Sequence, residues 1–196
     1  MPSESLERQL DFLREIDQLK SVIRQSPLLD GSRRENSAEH SWHVATYALV
    51  LQQYAAAPVD VGRVIQMLLI HDVVEVDAGD HPLHLSASGT SQAELEIAAA
   101  QRLFGLLPEL QHAELLALWR EFESGESDDA RFAKALDRFQ PLVANVVNGG
   151  GTWADNNVSL EQVRERYGPT IQRGAPALWD LCEEWIVELF SRPKDS

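Results

Sequence analysis

The sequence predicts an all-α fold, and three features carry that expectation. Apolar residues recur at helical spacing through most of the chain. Leu and Ala are abundant while Thr and Tyr are scarce, a composition that favours helix over sheet. Helix-start signals precede the periodic stretches, most clearly at Asn36, Asp60 and Ser127. No Gly/Ser linker, low-complexity tract or internal repeat divides the 196 residues, so a single domain over residues 1–196 is expected.

The first helix is expected from Ser3 to about Arg24, with Leu6, Leu10, Leu13, Ile16 and Leu19 on its apolar side. A polar connection follows from Leu28 to Asn36. Asn36 stands where it would cap a second helix, and Glu39 three residues on resembles the return arm of a capping box. That helix should reach about Ala57. Asp60 caps a third, whose Val61, Val64, Ile65, Leu68 and Leu69 lead into His71-Asp72. Asp77 to Thr90, broken by Gly79, Pro82 and Gly89, reads as a loop. Ser91 starts a helix that ends near Gly105, and Pro108 opens another to about Phe122. Ser127-Asp128-Asp129 starts the next, with Phe132, Leu136, Phe139 and Val143 as its stripe and a kink or break expected at Pro141. Asn148 to Asn157 reads as a loop; its glycines lack the Gly-Lys-Thr of a P-loop. Two helices, about Ser159 to Arg173 and Pro176 to Ser191, close the chain, and apolar residues on the last offer a homodimer surface.

A formal net charge of −14 argues against a binder of nucleic-acid polymers, which needs a basic surface. A small phosphorylated ligand is compatible with it if a metal and a few cationic side chains offset the local field. No apolar run is long enough to span a membrane, and Met1 to Ser5 lack the blocks of a signal peptide. The single cysteine, Cys182, sits in an expected helix and reads as a packing residue. The location expected from these features is cytoplasmic.

The stretch from Leu68 to Asp80 carries the chemistry. An apolar run ends in His71-Asp72, followed by Glu75, Asp77 and Asp80 around Gly79. Burying a His-Asp pair is costly unless something pairs with it, and a divalent metal takes imidazole and carboxylate together. His71 and Glu75, four apart, share a helix face. His40 and His43 lie a turn apart on the second helix, too close for two ligands, so one is expected inward and the other packed or exposed. Asp137 borders an apolar stripe and is either a ligand or an ion-pair partner of an Arg. His81 and His84 read as loop residues and His112 as surface.

In order along the chain, His40, then His71-Asp72, then Asp137 resembles the HD superfamily of metal-dependent phosphohydrolases. Glu35-Asn36-Ser37-Ala38-Glu39-His40-Ser41, with His71-Asp72-Val73-Val74-Glu75 and Gly79-Asp80, resembles its YfbR-type 5'-deoxynucleotidases, over a motif core of about residues 24–147. The resemblance implies an HD-type helical bundle in which His40, His71, Asp72 and Asp137 bind one divalent ion (Mn, Co, Zn, Fe or Mg). It implies Glu75 as catalytic acid/base alongside Asp72, and Asp80 and Arg24 at the substrate. The implied reaction is hydrolysis of a nucleoside 5'-monophosphate. Gln25 stands where the family has a Trp beside that Arg, which leaves the sugar preference open. The competing expectations are a cyclic-nucleotide or polyphosphate hydrolase, and a nucleotide-binding regulatory module without turnover.

Overall fold

In the computed structural model, which describes residues 3–80 and 90–192, helices make up most of the chain and one small hairpin interrupts them. Helix α1 (Glu4–Ile16), capped by Ser3, stops well short of Arg24. A tight 3-10 turn follows, Val22 turns extended, and Ile23–Pro27 form strand β1. The helical spacing of Leu19, Val22 and Ile23 is overridden locally. Two β-branched residues, and a proline that pushes Ser26 out of helical geometry, favour the extended chain. Strand β1 pairs antiparallel with β2 (Arg34–Asn36), within what the sequence suggested was a plain polar connection. The hairpin carries Arg24 into the interior, where its side chain is 11% exposed, instead of leaving it on a helix surface.

Asn36 caps α2 (Ser37–Leu51) with the expected reciprocal box: its side chain accepts from the Glu39 amide at 2.9 Å, and its own amide donates to Glu39 at 3.1 Å. Helix α2 gives way to a 3-10 turn at Gln52–Tyr54, before Ala57. Asp60 caps α3 (Val61–Ile70). The chain then tightens into a 3-10 turn over His71–Val74 and a short α4 (Glu75–Ala78). Helices α5 (Thr90–Phe104) and α6 (Glu109–Ser124) follow, and α6 ends at Gly125.

Helix α7 (Asp128–Val147), capped by Ser127, runs through Pro141 without the expected break. Proline removes the amide that would bond the Asp137 carbonyl, but Leu136, Phe139, Leu142 and Ala144 are buried on both sides of it. Packing holds the helix where propensity alone would end it. The glycine turn that follows is not loop throughout: Gly151–Asp155 form a short α8. Asn145 organises it, its Oδ1 accepting from the Thr152 amide at 2.7 Å and hydroxyl at 2.8 Å. Gly151 sits at φ 44°, and a Cβ there would lie 2.6 Å from Asn145 Oδ1, so glycine is favoured on both counts. Helices α9 (Leu160–Gly174) and α10 (Pro176–Ser191) lie where the sequence put them.

Helix α7 packs on α2, α3, α9 and α10. Val44, Met67, Leu68, Phe132, Leu136, Ile171 and Ile186 fill that core, with Cys182 buried among them. A second cluster under α1, α5 and α6 holds Phe12, Val74, Leu103, Phe104 and Trp119. Ile70 packs against both, so His71-Asp72 emerges at the seam between them. On α10, Leu178 and Ile186 face inward while Leu181, Val187 and Phe190 stay partly exposed. Among the described residues no helix is long and apolar enough to cross a membrane.

The approach of α9 to α7 depends on Gly174. A Cβ there would lie 2.1 Å from the Arg131 carbonyl oxygen and 2.8 Å from the Ala135 Cβ. Gly174→Ala is therefore expected to destabilise the protein by about 1–3 kcal/mol, the usual cost of overpacking. Thermal unfolding of the variant beside wild type measures it; an unchanged melting temperature contradicts the packing described.

Candidate metal centre and its cavity

His40, His71, Asp72 and Asp137 converge from α2, the 3-10 turn after α3, and α7. His40 Nε2 lies 3.0 Å and His71 Nε2 3.4 Å from Asp137 Oδ1. Asp72 Oδ1 is 3.1 Å from His71 Nε2, and Asp72 Oδ2 is 4.0 Å from His40 Nε2. His40, His71 and Asp72 offer ligand atoms all within 4.8 Å of one another. Donors about 2.0–2.2 Å from one ion must lie at such separations.

Both rings are oriented from behind. His71 Nδ1 donates to the Leu68 carbonyl at 2.8 Å, and Trp119 Nε1 donates to the His71 carbonyl at 3.2 Å. His71 Nε2 is then left buried with no hydrogen-bond partner, as a metal ligand would be. His40, fully buried, has Nδ1 3.0 Å from Gln140 Oε1. The residues present therefore fit a divalent ion held by nitrogen and oxygen. Burial works against the charged form of His71, but Asp72 and Asp137 outweigh it and push its pKa to about 9. Burial likewise opposes ionisation of Asp137, yet the His40 and His71 rings that face it hold it well below the usual carboxylate range.

A cavity of about 230 Å³ opens over these groups. Asp72, Glu75, Asp80, Glu96, Glu123 and Asp137 line it, against the cations Arg24, Lys134 and Arg138. Glu75 reaches it from the turn after His71; Ser37 Oγ donates to its carboxylate. Burial first, then the neighbouring Asp72, raise Glu75 to about 8 against the pull of Arg24 and Ser37. Asp80 is raised by burial and Asp72, with Arg24 and the Gln25 backbone opposing.

Arg24 is more occupied than a free clamp. Its Nη1 donates to Asp72 Oδ2 at 2.7 Å and lies 3.7 Å from Glu75 and 4.0 Å from Asp80, while Nε is 3.7 Å from Glu35. Burial disfavours the guanidinium charge, but Asp72, Glu75 and Asp80 prevail and raise its pKa. Sequence reasoning gave no role to Lys134, one turn before Asp137, or to Arg138; both line the cavity, and the turn spacing on α7 was the available signal. Buried Glu35 and Gln140 were likewise unassigned. His43 is half-buried, stacked beside Trp42 and edge-on to Tyr47. His112 does not line the cavity. His81 and His84 lie outside the described residues.

The model of the HD domain family matches residues 16–179. Human 5'-deoxynucleotidase HDDC2 is 30% identical over 135 residues, 68% of this chain and 65% of its own. The chain thus spans just under two thirds of that relative's length. The 5'-deoxynucleotidase hdd1 of Schizosaccharomyces pombe is 25% identical over 67% of each chain. Among solved structures, a predicted metal-dependent phosphohydrolase from Magnetospirillum magnetotacticum MS-1 superposes with a TM-score of 0.90 at 48% identity, covering 96% of this chain and 94% of that one. The PH0347 protein from Pyrococcus horikoshii OT3 shares the fold at a TM-score of 0.65 and 18% identity, over 90% and 99% of the two chains.

Proposed function

Because this chain belongs to the HD domain family, we propose that it is a metal-dependent phosphohydrolase acting on (deoxy)nucleoside 5'-monophosphates, built as one HD-type domain. The observation that carries this reading is the His40, His71, Asp72 and Asp137 donor set, with His71 Nε2 buried and without a hydrogen bond, at a cavity also lined by Glu75. The 5'-deoxynucleotidase relatives support the substrate class. So does the cavity, somewhat below the roughly 300–1,000 Å³ range of drug-sized ligand pockets and acidic in its lining, which suits a small molecule over a polymer.

One divalent ion held by those four residues would supply Lewis-acid chemistry at a phosphoryl oxygen. The chain's own groups do the rest. Arg24 offsets the charge of Asp72, Glu75 and Asp80, so that a phosphate dianion can approach, and it faces the phosphate once they are engaged. Lys134 and Arg138 add positive charge from α7. Water attacks phosphorus, the P–O bond to the 5' oxygen breaks with that oxygen taking the Glu75 proton, and one proton of the attacking water passes to Glu75, which restores its acid form and leaves hydrogenphosphate. Asp80 and Gln25 face the rest of the substrate.

The test is phosphate release from ribo- and deoxyribonucleoside 5'-monophosphates by chelator-treated protein, with Mn, Co, Mg, Zn and Fe restored singly. Release is expected only with metal, and the ratio of the two sugars reads the effect of Gln25. No release from metal-loaded protein would overturn the monoesterase and favour a cyclic or polyphosphate substrate. A cytoplasmic enzyme, and a homodimer through the exposed part of α10, complete the proposal.

A further inference from the structure

His40 differs from His71 in what stands behind it. A backbone carbonyl, which can only accept, fixes the Nδ1–H of His71. Behind His40 stands the Gln140 side-chain amide, which presents either oxygen or nitrogen depending on which way it is turned. What sets that amide decides which nitrogen of His40 carries the proton.

We propose that Glu35, acting through the Gln140 amide, fixes the tautomer in which His40 offers Nε2 to the metal. Glu35 and Gln140 are each 2% exposed. Gln140 Nε2 donates to Glu35 Oε2 at 3.2 Å, and the same nitrogen lies 3.4 Å from His43 Nδ1. A carboxylate oxygen facing the amide takes its N–H, as Glu35 Oε2 does here. Turning the amide over would press its oxygen against Glu35 in a buried site, a cost with no compensating bond. The amide oxygen is thereby held toward His40, where it accepts from Nδ1 at 3.0 Å. Nε2 is left to face Asp137 at 3.0 Å. The second Glu35 oxygen is buried without a hydrogen bond, 3.4 Å from the same His40 Nδ1, and reinforces the choice. Glu35 and Gln140 are thus positioning residues, and His43 gains a place as the other acceptor on the amide.

The inference rests on the metal reading but not on the substrate, so its test uses zinc binding. Chelator-treated wild type, Glu35→Gln and Gln140→Met are titrated with zinc, and the imidazole nitrogens of the zinc-loaded proteins are followed by NMR. Glu35→Gln keeps the volume but can donate, which frees the Gln140 amide to turn. Zinc affinity is expected to fall about 10–100-fold in both variants, with the single Nδ1–H signature of His40 lost and metal-free melting close to wild type. Wild-type affinity and an intact Nδ1–H signal in either folded variant would overturn the relay alone. No zinc binding by wild type would overturn the metal centre and the relay together.

Discussion

Asp72→Ala is expected to reduce metal-dependent phosphate release by at least about 10²–10³-fold, the cost of losing one preorganised electrostatic partner of a reacting phosphoryl group. Asp72 lies between the two halves of the site. One oxygen is 3.1 Å from His71 Nε2 and the other 2.7 Å from Arg24 Nη1. Its removal takes a carboxylate from the proposed metal group and frees Arg24 to swing toward Glu75 and Asp80, which now lie 3.7 and 4.0 Å away. Two losses are therefore expected together: metal affinity falls, and added metal does not fully restore turnover. Asp72→Asn keeps the shape and removes the charge, and should fall between wild type and the alanine variant. Measuring kcat across a metal titration separates the two effects. Full activity in Asp72→Ala would remove the metal assignment, whatever the substrate proves to be.

Much of this site was legible because it is built from helix ends. Asn36 and Glu39 announce the start of α2, and His40 follows from their position. The apolar run of α3 fixes where His71-Asp72 must emerge, and the stripe of α7 places Asp137 on its border. What escaped the sequence depends on partners distant in the chain. Arg24 looked like the end of a helix because Leu19, Val22 and Ile23 keep helical spacing; pairing with Arg34–Asn36 decides otherwise. The kink expected at Pro141 is absent because packing on both sides outweighs one lost hydrogen bond. Gln140 and Glu35 are polar residues buried by their surroundings, and only their contact 105 positions apart in sequence reveals why. The order His, His-Asp, Asp gave the family, whereas the support behind each of those side chains had to be read from geometry.

Glu75→Gln is the complementary experiment, because it should spare the metal and lose the chemistry. Glu75 is placed by the tight turn that follows His71 and by a hydrogen bond from Ser37 at the start of α2. Both supports survive the amide, which can still accept from that hydroxyl. What is lost is a group able to exchange a proton with the leaving oxygen. Burial and the Asp72 carboxylate raise the pKa of Glu75 to about 8 in the metal-free protein, so it holds its proton where an exposed glutamate would not. The expected fall in kcat is about 10²–10⁴-fold, the range of general acid–base catalysis, with metal affinity and KM close to wild type. That pattern marks a group acting in the transition state and not in binding. A raised KM with unchanged kcat would move Glu75 to substrate recognition and leave the proton to another cavity residue. Asp80 is next in line, since burial and Asp72 also raise its pKa and Arg24 lies 4.0 Å away.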